Sequence, residues 1–486
     1  MRAFARNVLH RRHKHEHHHD HHHHDHHHHE QSGSGVPSLS PSLSSSVFSP
    51  SFYAKIFVLL TLPISRCKAR MVFAHYMVGL THGQTPEEWT QEIRTADAAC
   101  IDGFALNIGS SDPYTLTQLR QAFAAAEAQR HEQGQRGHEF VLFLSFDMAA
   151  GHWDVDQLVA LIREFRDSPV YYTVDGQPLV STFEGPGWAD NWPAVSRAAG
   201  GIFLVPDWSS LGPHGVGNKA DLIDGAFSWC AWPRADQQRM TTEEDVAYGK
   251  TLRDKGKIYM AGVSPWFYTR LPQWNKNWYS TSESLWFDRW SQILDLKPDL
   301  VQIISWNDFG ESSYICDPLR PSQVVPGADI YVSGHSHAAF RATLPFLIKA
   351  YKAGNDLASC SGDDDGPEED CAIAWYRTTP AECGPDGGTV WGQGGSRSAS
   401  QGARDVISVM SISKDPTAVT ISIGDQEVRP HHHQRHGYVS FAHVQVEGRT
   451  GPVRLSMHGR SATGPAIIND CPPSGHVMFN CVSIQV

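Results

Sequence analysis

The sequence predicts an α/β fold: a (β/α)8 TIM barrel, then a C-terminal all-β sandwich domain, behind a disordered N-terminal extension. Three observations support this. From Met71 to about residue 354, short β-branched or aromatic runs alternate with amphipathic segments of helix length, the rhythm of a parallel sheet. The runs number eight, as a closed barrel requires. Past residue 370 the helical pattern gives way to short alternating runs between Gly and Pro turns, which suggests a sandwich. The boundaries drawn are 1–70 for the extension, 71–354 for the barrel, 355–370 for a Gly/Asp/Ser-rich linker and 371–486 for the sandwich. A chain of 486 residues holds one barrel of about 250 residues and a smaller companion.

In the extension, residues 10–30 carry fourteen of the twenty-nine histidines. Such a tract cannot form an apolar core and is expected to be disordered. Metal sequestration is its functional alternative, but imidazoles whose orientation nothing fixes make weak, unselective sites. After a Ser/Pro linker from Ser32 to Ser51 comes an apolar run, Ala54 to Ile64. It falls short of the roughly 20 residues that span a bilayer as a helix, and matches the hydrophobic region of a secretory signal. The expectation is a secreted, extracellular protein, free or held at the cell wall, whose mature form begins near residue 65 to 71. The next methionine after Met1 is Met71, beyond the run, so a start there would delete the signal.

The candidate strands are Val72 to Met77, Gly103 to Ile108, Phe140 to Phe146, Pro178 to Phe183, Gly201 to Val205, Gly225 to Trp229, Ile258 to Val263 and Leu300 to Trp306. Helical patterns fill the gaps, including Pro86 to Ala99, Leu116 to Glu132, Val155 to Phe165, Thr241 to Lys255, Ser284 to Leu294 and, closing the ring, Ala338 to Lys352. Thr241-Thr-Glu-Glu244 has the capping-box form. At the C-terminal ends of the strands stand His75, Asn107, Asp147, Glu184, Asp207, Trp229 with Trp232, Trp266, and finally Asp308 with Glu311. A barrel builds its site from those ends, so residues scattered along the chain converge on one mouth. Singly, each has a structural explanation: Asp147 and Asp207 as caps, Glu184 as an arginine's partner, His75 as a satisfied core histidine. Together they are harder to attribute to capping.

The last of these ends is the most informative. Val301-Gln-Ile-Ile-Ser-Trp-Asn-Asp-Phe-Gly-Glu-Ser312 closes an apolar run and at once presents two carboxylates beside Trp306 and Asn307. Glycosidic bonds break through an oxocarbenium-like transition state, with one carboxyl protonating the leaving oxygen and another activating water or attacking the anomeric carbon. Aromatic faces bind the apolar faces of sugar rings, and Asn donates to hydroxyls. Asp308 and Glu311 are therefore the catalytic candidates, with the other strand-end residues, Trp306 and Asn307 as substrate-binding candidates. The structural alternative for Asp308 is an N-cap. A separation of three residues places the two backbones at most about 10 Å apart, or the Cβ atoms about 5–6 Å apart on a helical turn. That suits both a retaining pair, about 5–5.5 Å apart, and an inverting pair, about 6.5–9.5 Å apart. The acid needs a raised pKa, from apolar neighbours such as Trp306 and Phe309 or from its partner's charge, and the base must stay ionised. Two carboxyls and water suffice, so no cofactor and no metal is expected.

Val72-Phe-Ala-His-Tyr-Met-Val-Gly79, Asp102-Gly-Phe-Ala-Leu-Asn-Ile108, Phe146-Asp147, Ser228-Trp229 with Ala231-Trp-Pro233, Val263-Ser-Pro-Trp266 and Ser305-Trp-Asn-Asp-Phe-Gly-Glu-Ser312 occur in an order that resembles glycoside hydrolase family 71, the fungal α-1,3-glucanases or mutanases. The likeness covers about residues 71 to 486. It implies an endo-acting, inverting hydrolase of α-1,3-glucan, with Asp308 as general base and Glu311 as general acid. One departure stands out: the family pattern carries a histidine after Gly-Glu-Ser, where this chain reads Ser312-Ser313-Tyr314. An imidazole facing the ligand is then missing, or supplied by His335 or His337.

The formal net charge of −12 lacks the basic field that nucleic acid or an anionic membrane demands, and suits a neutral polysaccharide. The expected partner is α-1,3-glucan, with no nucleic acid, no stable membrane insertion and a monomeric protein. Of nine cysteines, five lie beyond residue 355, which reads as disulfide stapling with the connectivity open. In the distal third, Trp375, Tyr376 and Trp391 have the chemistry to bind glucan, with core packing the simpler account. The competing functional reading is a non-catalytic α-glucan-binding wall protein on the same scaffold.

Overall fold

The computed structural model describes residues 69–133, 139–235, 237–360, 362, 365–415, 418–429, 431–473 and 478–486. The histidine tract, the Ser/Pro linker and the apolar run lie outside the described residues. The barrel strands are β1 (Met71–Met77), β2 (Gly103–Ile108), β3 (Val141–Asp147), β4 (Gln177–Phe183), β5 (Phe203–Asp207), β6 (Gly225–Ser228), β7 (Ile258–Val263) and β8 (Leu300–Ile303). They pair in parallel in the order β3-β2-β1-β8-β7-β6-β5-β4, and the parallel pairing of β3 with β4 closes the ring. Most strand residues are buried on both faces, between the outer helices and the filled interior, which is why these runs read as continuously apolar. Gly103 opens β2 so close to its neighbour that a Cβ there would meet the Val141 carbonyl oxygen at 1.9 Å.

Several boundaries move. The strand read at Gly201 begins at Phe203, because Gly200 and Gly201 take φ of 82° and 93° to end the helix Trp192–Ala199. The strand read to Trp306 stops at Ile303. The expected capping box at Thr241 does not form: the helix starts at Glu243, Thr242 makes no side-chain cap, and Thr241 Oγ1 accepts from Gln237 Nε2. The closing helix divides into a 3-10 turn, Ala338–Thr343, and an α-helix, Leu344–Ala353. An unexpected hairpin, Tyr268–Leu271 with Lys276–Tyr279, follows β7.

The C-terminal region forms two sheets. The five-stranded one runs in the order 431–436, 439–445, 406–412, 371–376, 482–485, and the four-stranded one 426–428, 420–423, 451–457, 460–467. Alternation along Cys371–Tyr376 shows how they pack. Ala372, Ala374 and Tyr376 face the second sheet, whereas Ile373 and Trp375 join the core of the barrel. The same barrel-facing side stacks Phe441 on Phe287 at 4.4 Å and sets Trp375 against Phe340 at 5.5 Å. Trp375 and Tyr376, each 1 % exposed, are thus packing residues. One disulfide, Cys383–Cys471, crosses this region, and Cys100, Cys230, Cys316, Cys360, Cys371 and Cys481 are free thiols.

Candidate active site

Beyond Ile303 the chain turns through Ser305 into a 3-10 turn, Phe309–Glu311, capped by Asp308. Asp308 Oδ1 accepts from the Glu311 amide at 3.1 Å, and the Asp308 amide donates to Ser305 Oγ at 2.7 Å. The N-cap reading of Asp308 is therefore correct as local structure. It also fixes one carboxyl oxygen beside the second acid. Asp308 is half-buried, and its pKa is pushed up to about 7, first by burial and then by the Glu311 charge; Lys276 and the turn amides oppose the rise. Glu311, 7 % exposed, accepts from Lys276 Nζ at 2.8 Å. The positive charge of Lys276 also acts on Asp147 at the end of β3. Three carboxylates from β3 and the β8 turn thus share the field of one ammonium. The mouth of the barrel is a shared electrostatic site.

The other predicted residues divide into those facing this mouth and those supporting it. Asp147 is 6 % exposed, and burial raises its pKa to about 6 although Oδ1 accepts from the amides of Ala149 and Ala150. His75 is 2 % exposed; Nδ1 meets Gln302 Oε1 at 3.0 Å, and burial lowers its pKa to about 4, so the ring is neutral near pH 7. It lies edge-to-face against Trp229 at 4.9 Å. Trp229 and Trp232 are half-buried; Trp232 Nε1 donates to the Trp266 carbonyl. Asn107 is buried, with no hydrogen-bond partner for Nδ2 among the described residues.

Glu184 stands at φ 52°, with Oε1 accepting from the Ser210 amide and Oε2 from the Ser210 hydroxyl. Asp207 is wholly buried and holds Ser209, whose Oγ accepts from the Trp229 amide at 2.8 Å. Through Ser209 it holds the backbone at Trp229.

Three binding candidates are placed elsewhere than the sequence suggested. Trp266 is 1 % exposed with Nε1 donating to the Phe479 carbonyl, and Trp306 is 0 % exposed with Nε1 donating to Glu92 Oε2 at 3.2 Å, so neither offers a face to a sugar. Asn307 uses its whole amide on the backbone of Met77, accepting at 2.7 Å and donating at 3.3 Å. The proposed substitutes for the missing imidazole also face away. His337 is buried, stacked on Tyr314 at 4.1 Å, with Nε2 among Asn480 and Cys481. His335 lines a cavity of 600 Å³ between the barrel and the sandwich. Position 313 is itself buried: Ser313 Oγ lies 3.2 Å from Ser305 Oγ, the atom that accepts from the Asp308 amide.

Sequence reasoning missed Lys276, Ser305 and Gln302. The only signal for Lys276 was its place in the aromatic, polar stretch Trp274-Asn-Lys-Asn-Trp278 beyond β7. Among the described residues no group of three or more His, Cys, Asp or Glu side chains is arranged to hold a metal.

Comparison with known proteins identifies the family. The sequence profile of glycosyl hydrolase family 71 matches residues 68–486. A glucan endo-1,3-alpha-glucosidase of Schizosaccharomyces pombe is 36% identical over 64% of this chain and 71% of its own length. A mutanase of Penicillium rubens is 34% identical over 74% of this chain and 76% of its own. An ascus wall endo-1,3-alpha-glucanase of Schizosaccharomyces pombe is 30% identical over 58% and 66%. With a closed barrel, an acid pair on the turn after its last strand, and a family match running from the first strand to the C-terminal residue, this chain belongs to glycosyl hydrolase family 71.

Proposed function

We propose that this glycoside hydrolase is a secreted endo-α-1,3-glucanase that cleaves α-1,3-glucan with inversion. The observation that carries the reading is the unequal pair at the barrel mouth: a carboxyl raised to about 7 beside one held by an ammonium at 2.8 Å. An acid catalyst needs the first and a base the second. The charge pattern therefore supports Asp308 as proton donor to the leaving oxygen and Glu311 as the base that activates water, the reverse of the roles the family resemblance implied. Trp229 and Trp232 supply ring faces for the sugars. The names of the relatives support the substrate, and the disulfide Cys383–Cys471 suits an oxidising compartment.

Asp308→Asn and Glu311→Gln are each expected to abolish release of reducing ends from insoluble α-1,3-glucan, with folding intact. Turnover retained in both variants would reject the pair, and an inactive wild type that still binds glucan would favour the wall-protein reading. The roles separate on substrates with activated leaving groups, which need no acid: Asp308→Asn regains turnover there and Glu311→Gln does not. Proton NMR of the first anomer released reads the stereochemistry.

A further inference from the structure

We propose that Lys276 is a positioning residue that sets the ionisation of the Asp308–Glu311 pair, and that the C-terminal region holds it in place. The inference rests on those two acids being the reacting pair. Lys276 does not come from a barrel strand. It lies on the hairpin inserted after β7, whose strand Lys276–Tyr279 pairs antiparallel with Tyr268–Leu271. Its Nζ meets Glu311 Oε1 at 2.8 Å, with each side chain 9 % exposed, so water screens the pair little. The charged groups around it are Glu311 and Asp308 from the β8 turn and Asp147 from β3. Arg270, opposite Asn277 in the hairpin, is the neighbouring cation, and the Tyr331 hydroxyl donates to the Gly310 carbonyl within the same turn.

The hairpin is a three-stranded sheet only because the C-terminal region completes it. Thr389–Val390 pairs in parallel with Trp278 and Tyr279. The Trp391 amide donates to the Tyr279 carbonyl at 2.8 Å, and Gln393 Oε1 accepts from the Asn277 amide, one residue from Lys276, at 2.5 Å. Gly388 is pressed against the same residue: at φ +80°, a Cβ there would meet the Asn277 carbonyl oxygen at 2.2 Å. Two more bonds continue the seam, from Thr281 Oγ1 to the Gly402 carbonyl and from the Arg404 amide to Glu283 Oε1. The disulfide Cys383–Cys471 anchors this excursion to the rest of the region. The distal domain is thus a structural part of the catalytic mouth rather than a detachable sugar-binding module.

Two acids that interact titrate as a pair, and a nearby cation lowers both steps. Lys276→Met should therefore move both limbs of the pH–rate profile to higher pH by about a unit, and lower the maximal rate on α-1,3-glucan at least ~10-fold. Lys276→Arg keeps the charge and should keep the profile. If Lys276→Met does not fold, Lys276→Gln, which retains a donor but no charge, reads the same shift. Gly388→Ala, remote from the reacting atoms, should displace the hairpin and give a shift of the same sign; strain at φ +80° and against the Asn277 carbonyl lowers its melting temperature, so the profile is read well below the melt. A wild-type profile in active Lys276→Met or Lys276→Gln overturns the electrostatic role, and a wild-type profile and rate in Gly388→Ala overturn the buttress. Absence of activity in the wild type would instead reject the substrate reading on which both rest.

Discussion

Replacing Asp308 by Asn should abolish hydrolysis and, at alkaline pH, make the protein more stable. The carboxyl is raised from its ordinary 3.8 to about 7, chiefly by burial and by the Glu311 charge. A carboxyl whose folded pKa lies above its unfolded one stabilises the fold fully below pH 3.8 relative to the ionised state, and that contribution is lost as pH rises through 7. The rise, at about 1.4 kcal/mol per pH unit, sets a ceiling near 4 kcal/mol. Partial exposure of Asp308 and sharing of protons with Glu311 reduce the expected effect to about 1–2 kcal/mol. Asn is isosteric and its Oδ1 still caps the Glu311 amide, so nothing else in the turn need change. Guanidinium unfolding at pH 4 and pH 8 measures the difference directly. Wild type and variant should coincide near pH 4 and separate by pH 8, the variant being the more stable. A variant equally stable or less stable than wild type at pH 8 would refute the burial of an unfavourable charge at this position.

Ser209→Ala removes the hydroxyl that links Asp207 to the Trp229 amide, worth about 1 kcal/mol. KM for glucan oligosaccharides should rise several-fold with kcat little changed, and the opposite split would remove Trp229 from the binding surface. Phe441→Ala breaks the stack on Phe287 and should cost about 3–5 kcal/mol. Because that face docks on the barrel, calorimetry of the wild type should show one cooperative transition; two separate melts would mean the domains unfold independently. Dialysis against a chelator should leave the rate on α-1,3-glucan unchanged, since two carboxyls and water suffice for the cleavage; a rate restored only by added divalent ions would contradict the mechanism.

The barrel was legible because each strand is a short apolar run buried on both faces, and that signal survives errors of a few residues at its ends. The strand-end acids were legible for the same reason: the topology gathers them whatever the exact boundary. Side-chain direction was not. Reading β8 to Trp306 rather than Ile303 carried the alternation three residues too far, and a shift of one residue already exchanges inside for outside. Trp306 consequently faces Glu92 and the core. Asn307 illustrates a second limit, for an Asx side chain at a turn finds backbone as readily as ligand. Lys276 illustrates a third. Its role depends on Glu311, and its position depends on strand Thr389–Val390 from the following domain, contacts that no local pattern encodes.

The turn after β8 also shows how an N-cap and a raised carboxyl pKa coexist in one residue. An N-cap carboxylate accepting backbone amides would ordinarily have a lowered pKa, since those bonds favour its charged form. At Asp308 the amides of Gly310 and Glu311 do act in that direction, and they are outweighed by burial and by the adjacent Glu311 charge. The cap therefore serves geometry, holding Oδ1 and the carboxyl plane in place, while the surroundings decide protonation. Residue 311 contributes to both effects, since its backbone amide is the capped donor and its carboxylate adds to burial in raising Asp308. Lys276, 2.8 Å from Glu311 Oε1, then limits how far the rise at Asp308 can go.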